Sequence, residues 1–282
     1  MILAVSVGNT NVRAAVGQGS VLKQTVFRRA FLKSGNTDTH GTIEALEAGY
    51  CPVSNYDECH ASVIKRIQDG LGIVWGQIRG GIVSTVVPGC TDVIVSNLEG
   101  KIGRPVQRID VKHCGGLDIE LYENLPGEDR VVCCAHALQK FTPPFVVVDY
   151  GTATTVNVVN AKGQFMGGAI LPGLQTGLDA LAHNTAQLPQ ISMLTKKSTI
   201  PLIGKNTAEN LQSGAVIGLA CATEGFIRRI SEFCEFAIIE RGSKIPVIVT
   251  GGHGSAILPY CQFDCIHEPD LLLEGLLSLY RS

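Results

Sequence analysis

One pattern, used twice, constrains this chain more than any other feature. Residues 2–17 read as an apolar run, a polar glycine-containing turn and a second apolar run (ILAVS-VGNTN-VRAAVG). Residues 145–161 repeat it (FVVVD-YGTAT-TVNVVNA). Short runs rich in Val, Ile and Thr, joined through Gly and Asn, are the signature of a strand entering a turn and returning. The two turns align as Ser6-Val7-Gly8-Asn9-Thr10 and Asp149-Tyr150-Gly151-Thr152-Ala153. A hairpin opening each half predicts a duplicated fold with a ligand cleft between two lobes.

Further strands are expected at Gly81–Val87, around Val106–Ile109 and at Pro246–Thr250, the last ending in Gly251-Gly252. Helical periodicity follows Asp129 through Leu138, runs through Leu174, Leu178, Leu181 and Ala182, and extends over residues 208–234. Strands alternating with helices indicate α/β layers. The boundary is expected near 140–145, where Thr142-Pro143-Pro144 interrupts helix, giving an N-terminal lobe of 1–142 and a C-terminal lobe of 143–282.

Composition narrows the function classes. Hydrophobic residues make up 45% of the 282 and the formal net charge is only -2, which excludes a disordered chain. Lys plus Arg number 23 against 25 Asp plus Glu, so no basic excess points to nucleic acid or a membrane surface. No run reaches the roughly 20 apolar residues of a membrane helix. The start, Met1-Ile2-Leu3-Ala4-Val5, lacks a basic leader and reads as a buried strand, so a cytoplasmic location is expected. The 10 cysteines contain no C-x-x-C pair. The loose groups Cys51, Cys59, His60 and Cys261, Cys265, His267 lack the paired spacing of a structural zinc site, and free, mostly buried thiols are expected.

Four segments could carry chemistry. Gly8-Asn9-Thr10-Asn11 after a buried strand can form an anion nest for a phosphate, or an ordinary hairpin turn. Asp149 closes an apolar run, where a carboxylate needs a cation or donors, with Thr152 able to touch a phosphate; it can equally cap its own turn. Asp129 at a helix start can serve as a base with Arg130 clamping a substrate carboxylate, or as a simple N-terminal acid beside a solvated charge. Thr250-Gly251-Gly252-His253-Gly254 can let a flat ring such as adenine lie on the backbone, or simply turn from strand to helix.

In order along the chain, these segments join others: Ser84-Thr85-Val86-Val87-Pro88, Tyr122 through Arg130, and Gly167-Gly168-Ala169-Ile170-Leu171-Pro172-Gly173-Leu174. Asn184-Thr185-Ala186-Gln187-Leu188-Pro189, Ile203-Gly204-Lys205-Asn206-Thr207 with Ser213-Gly214, and Leu272-Leu273-Glu274-Gly275-Leu276 complete the set. The ordered set resembles the type III pantothenate kinases of the actin-like, sugar-kinase-like ATPase superfamily.

That resemblance implies a duplicated actin-like (ribonuclease H-like) ATPase fold and usually a homodimer. It implies transfer of the ATP γ-phosphoryl to the primary hydroxyl of pantothenate, the first step toward coenzyme A, with Mg2+ on the phosphates. By motif, Ser6, Val7, Gly8, Asn9, Thr10, Asn11, Val12 and Arg13 form the first phosphate loop, and Asp129 accepts the proton. Tyr122, Gly127, Glu128, Asp129 and Arg130 would line the pantothenate site, with Thr185 reaching in from the partner subunit. Asp149 would hold a monovalent cation (potassium or ammonium), and Thr152, Gly251 and Gly252 would touch ATP.

The sequence departs from this pattern at its start. The family opens its first loop with an aspartate; this chain has Ser6, while Asp149 keeps the matching place in the second half. A neutral hydroxyl is a poor ligand for a hard cation that prefers carboxylates, and losing a charge-assisted contact costs about 1.5–3 kcal/mol. The family also spaces Tyr122 slightly further from Gly127-Glu128-Asp129-Arg130, and favours a small residue where this chain has Glu128. Three readings follow: an active pantothenate kinase, a catalytically impaired homologue acting as a ligand-binding or regulatory protein, and a related kinase for another small hydroxyl compound.

Overall fold

Both apolar hairpins form as expected. The computed structural model describes residues 1–18, 21–28, 56–87, 91–192, 199–233 and 245–281. In the first sheet, β1 (Ile2–Val7), β2 (Asn11–Gly17) and β3 (Val21–Arg28) run antiparallel. Here β4 (Gly80–Thr85) lies parallel to β1 on its other side, and β5 (Val106–Arg108) parallel to β4. The second sheet copies this arrangement with β6 (Phe145–Tyr150), β7 (Ala153–Val159) and β8 (Phe165–Pro172) antiparallel. Parallel to β6 lies β9 (Val247–Thr250), and parallel to β9 lies β10 (Ile266–His267). The strand orders, β3-β2-β1-β4-β5 and β8-β7-β6-β9-β10, are the same. The expected duplication is therefore physical, and the α/β class with it.

Among the described residues the helices longer than one turn are α1 (Tyr56–Leu71), α2 (Thr91–Ile102), α3 (Glu128–Lys140), α4 (Leu174–Asn184), α5 (Thr207–Phe233) and α6 (Leu271–Leu279). Contacts divide the chain into two compact units. The first comprises Met1–Gly115, Leu125–His136 and Leu271–Ser282; the second comprises Gly116–Asn124 and Ala137–Asp270.

In the first unit, alternate side chains of β1 point to opposite faces, as a strand requires. Leu3, Val5 and Val7 join a core with Ile64, Ile67 and Leu71 of α1 and Ile94, Val95 and Leu98 of α2. Ala4 and Ser6 therefore face the other way. The C-terminal helix α6 packs on β1, and its Gly275 lies against α3 so closely that an added Cβ would stand 2.8 Å from Val132 Cγ1. From Val131 to Ala137 α3 is buried, with no polar stripe, which is the pattern of an interior helix. Burial pushes the Cys134 thiol up to about 12.

The second unit repeats the logic. Val146, Val148 and Tyr150 of β6 pack with Leu174 and Leu178 of α4 and with Val216, Ala220 and Ile227 of α5. Asp149 lies on the opposite face from these, as Ser6 does in the first unit.

Among the described residues six cysteines are free: Cys114, Cys133 and Cys134 are buried, Cys261 and Cys265 half-buried, and Cys221 exposed. Cys51 and the side chains of Cys59 and His60 lie outside the described residues. No described helix is long and apolar enough to cross a membrane.

Candidate active site

In the first unit the candidate residues collect at the carboxyl ends of the parallel strands β1 and β4, the edge where open α/β sheets bind ligands. Ser6 is buried and sits in register with Arg13 on β2 and Ser84 on β4, so the three side chains share one face of the sheet. The turn is closed by the Gly8 amide donating to the Asn11 carbonyl at 2.9 Å. Val7 and Val12 are core residues, so of that loop they can offer a ligand only backbone groups. Asn9 is exposed, and Thr10, Asn11 and Arg13 are half-buried.

The start of α3 is anchored to this edge. The Thr85 amide donates to Glu128 Oε2 at 2.7 Å. Burial raises the Glu128 carboxyl above its ordinary value, partly offset by the Thr85 amide and the Ser84 hydroxyl; the neighbouring Asp129 adds to the rise. Ser84 Oγ, 1% exposed, makes no hydrogen bond of full geometry, yet stands near enough to Glu128 to favour its charged form.

Asp129 follows in the first helical turn, where the helix dipole and the Arg130 amide, donating to Oδ1 at 2.8 Å, favour a carboxylate. Burial outweighs them and raises its carboxyl, while Arg130 and Arg13 pull it back. Two guanidinium groups thus share the neighbourhood of one desolvated carboxylate. Gly127 makes room for it: a Cβ there would stand 2.8 Å from Asp129 Oδ1. Arg130 itself is buried.

The second unit builds its own turn. Asp149 is half-buried at the end of β6, paired with Thr250 on β9 as Ser6 is with Ser84. Gly251 follows with φ 95°, a conformation that favours glycine. Its Cα lies so close to Asp149 Oδ1 and the Tyr150 backbone that a side chain would collide with both. Gly252 and Thr152 are exposed. The Thr152 carbonyl accepts from the Gly173 amide at 3.1 Å and from Thr176 Oγ1 at 2.7 Å, which ties the turn to the start of α4.

The remaining expected residues lie in this second unit. Tyr122 packs edge-on to Phe165, with ring centroids 5.3 Å apart, and covers Gly167. Thr185 caps the C-terminus of α4, exposed, its hydroxyl donating to the Leu181 carbonyl at 2.8 Å. Within the first unit the structure thus brings together Ser6, Arg13, Gly127, Glu128, Asp129 and Arg130. In the second it brings together Asp149, Thr152 and Gly251. Sequence reasoning gave no role to Ser84 or Thr85, although their segment stood among the motifs; only the sheet register pairs Ser84 with Ser6.

Oxygen donors dominate the first cluster, as a magnesium-bound nucleotide requires. Among the described residues no three His, Cys, Asp or Glu stand together to hold a metal by themselves. Mg2+ on a nucleotide is held through one or two carboxylates, waters and substrate phosphates.

The sequence model of the type III pantothenate kinase family matches residues 2–229. A protein named type III pantothenate kinase from Rhodococcus jostii is 44% identical over 156 residues, 55% of this chain and 55% of that one. The chain thus spans about half the length of the Rhodococcus relatives it matches. One of the same name from Moorella thermoacetica is 31% identical over 285 aligned residues, covering 100% of this chain and 99% of the relative. Among solved structures, a Campylobacter jejuni protein described as a conserved putative Baf family transcriptional activator superposes with a TM-score of 0.55. It is 16% identical and covers 98% of this chain and 96% of its own, a likeness of fold.

Proposed function

The chain belongs to the type III pantothenate kinase family, and on that premise we propose that it transfers the γ-phosphoryl of ATP to the primary hydroxyl of pantothenate, the first step toward coenzyme A. The observation that carries the reading is Asp129: a desolvated carboxylate at a helix start, flanked by the charges of Arg13 and Arg130. Phosphoryl transfer asks a protein mainly for positioning, charge neutralisation and a group to take the hydroxyl proton. Burial raises the Asp129 carboxyl above its ordinary value, which makes its carboxylate a stronger base than a solvated aspartate.

In this proposal Arg130 fixes the pantothenate carboxylate in the bidentate manner of guanidinium groups and so aims the distant hydroxyl at Asp129. Tyr122, Gly127 and Glu128 line the same site, with Thr185 supplied by the partner of a homodimer. Residues 6–13 cradle the phosphates through turn amides and Arg13. Thr152, Gly251 and Gly252 meet ATP, and Asp149 holds potassium or ammonium. When bound, Mg2+ neutralises charge on the phosphates. Orientation of the two substrates supplies several kcal/mol of the rate, at most about 7–11 in well-ordered intramolecular cases. The halves 1–142 and 143–282 are proposed as two copies of one lobe, and the enzyme as cytoplasmic.

Ser6 favours a second reading, a homologue that binds nucleotide without efficient transfer. A coupled assay with ATP and pantothenate, with and without potassium, separates the two. Phosphorylation that needs both substrates and rises with potassium is expected. Measurable ATP binding without turnover supports the second reading, and transfer to another hydroxyl compound but not to pantothenate contradicts the first.

A further inference from the structure

We infer that Glu128 is a positioning residue for phosphoryl transfer: its carboxylate ties the first turn of α3, and with it Asp129 and Arg130, to the end of β4. The inference rests on the proposed roles of Asp129 as the base and Arg130 as the clamp.

The tie continues a ladder that β5 leaves. Strand β5 pairs with β4 no further than Arg108 opposite Val83, where the Ile109 amide donates to the Val83 carbonyl at 3.3 Å. Successive amides along a strand point to opposite neighbours. The Val86 amide donates to the Val7 carbonyl of β1 at 3.1 Å. The Thr85 amide before it therefore faces the β5 side, beyond the point where pairing with β5 ends. Glu128 Oε2 accepts that amide at 2.7 Å, a short bond of the charge-assisted kind. The Ser84 hydroxyl stands beside the same carboxylate and favours its charged form. A side chain from α3 thus takes the place that another strand residue would fill.

The helix start gains most from such an anchor. Gly127 holds the cap position, since its carbonyl accepts from the Val131 amide at 3.2 Å, and it has no side chain with which to cap. Asp129 turns its Oδ1 to the Arg130 amide within its own turn. The first turn of a helix lacks part of its backbone bonding and opens most readily. Here that turn carries both groups proposed for the chemistry, and a misplacement of about 1 Å can cost about 100-fold in rate.

A plain dipole role accounts for less. An acid in the first turn would favour the helix equally from solvent, yet Glu128 is half-buried beside a second acid, and both conditions raise its carboxyl. The bond to the sheet adds what a solvated acid cannot, a fixed place for the helix start.

The test compares the native chain with Glu128→Ala and Glu128→Gln; the Gln side-chain oxygen can accept the Thr85 amide without the charge. Hydrogen exchange by NMR reads the Arg130 and Val131 amides, and steady-state kinetics with ATP and pantothenate reads the transfer. In Glu128→Ala those two amides should exchange on the order of 10- to 150-fold faster, the loss of one charge-assisted contact, with the amides of β1 unchanged. The kcat should fall about 10- to 100-fold and KM for pantothenate rise, while KM for ATP stays near native. Glu128→Gln should recover most of each loss.

Native exchange at Arg130 and Val131 in Glu128→Ala overturns the inference. So does faster exchange in β1 as well, with kcat lowered and both KM values native, the mark of a general loss of stability. A Gln variant as impaired as the Ala variant assigns the effect to charge rather than to the tie, and overturns it too. No phosphorylation by the native chain overturns the pantothenate reading and the catalytic half of this inference. Exchange of the two amides needs no substrate, so it still decides the tie to β4.

Discussion

At Asp129 two local forces oppose each other. The helix start and the Arg130 amide favour the charge, and burial disfavours it more. A carboxyl raised in the folded state binds its proton more tightly than in the unfolded chain. Its contribution to stability is therefore present at low pH and lost as pH rises through the raised value. Asp129→Asn removes that loss. Thermal unfolding of the metal-free variant should show a Tm at or above native at pH 7, the difference vanishing as pH falls below the ordinary aspartate value of 3.8. A variant clearly less stable at pH 7 would show that the charge stabilises the fold.

Gly127 makes a second prediction at this scale. A Cβ there meets the end of the Asp129 side chain at 2.8 Å, which can swing aside, so Gly127→Ala should move the carboxylate proposed as the base and spare the fold. Steady-state kinetics should show kcat reduced about 10- to 100-fold, with KM for ATP and Tm near native. Native kcat would mean that the carboxylate position is not limiting. The contrast between Ser6 and Asp149 was legible from the two aligned turns alone. The Glu128 contact was not, because it joins residues 43 apart in sequence, and no local pattern encodes that distance.

Elements were legible where local pattern and burial agree. The hairpins β1–β2 and β6–β7 show because their strands are almost wholly apolar and broken by Gly-containing turns. Helix α3 shows through its apolar run, and α5 through its length. By contrast, β8 reads poorly: its burial alternates along the strand, but it contains Gly167 and Gly168, which weaken a strand signal. The leucine run of α6 could not be told from a buried strand by periodicity alone.

Packing of α6 on α3 gives a prediction for elements. Gly275 leaves no space for a side chain against Val132 and His136. Gly275→Val should therefore destabilise the chain by about 1–3 kcal/mol, the usual cost of overpacking, read as a lower urea midpoint. An unchanged midpoint would mean that the two helices separate at little cost.

For the whole molecule, duplication is the fact from which the rest follows. Two sheets with one strand order present two equivalent strand ends, and divergence has given them different chemistry: a carboxylate on β6, a hydroxyl on β1. The repeat in sequence announced this. The return of residues 271–282 to the first unit was not announced, because a C-terminal helix carries no local mark of the sheet it covers. The formal net charge of -2 leaves recognition to local charges, and the proposed ones stand at the start of α3.

The most direct measurement is mass spectrometry of pantothenate incubated with ATP, Mg2+ and potassium, using the native chain and Asp129→Asn in parallel. Phosphopantothenate should accumulate with the native chain and fall by at least about 100-fold with the variant, the lower range for loss of a general base. Phosphorylation at the native rate by Asp129→Asn, or none by the native chain, would contradict the role assigned to this carboxylate.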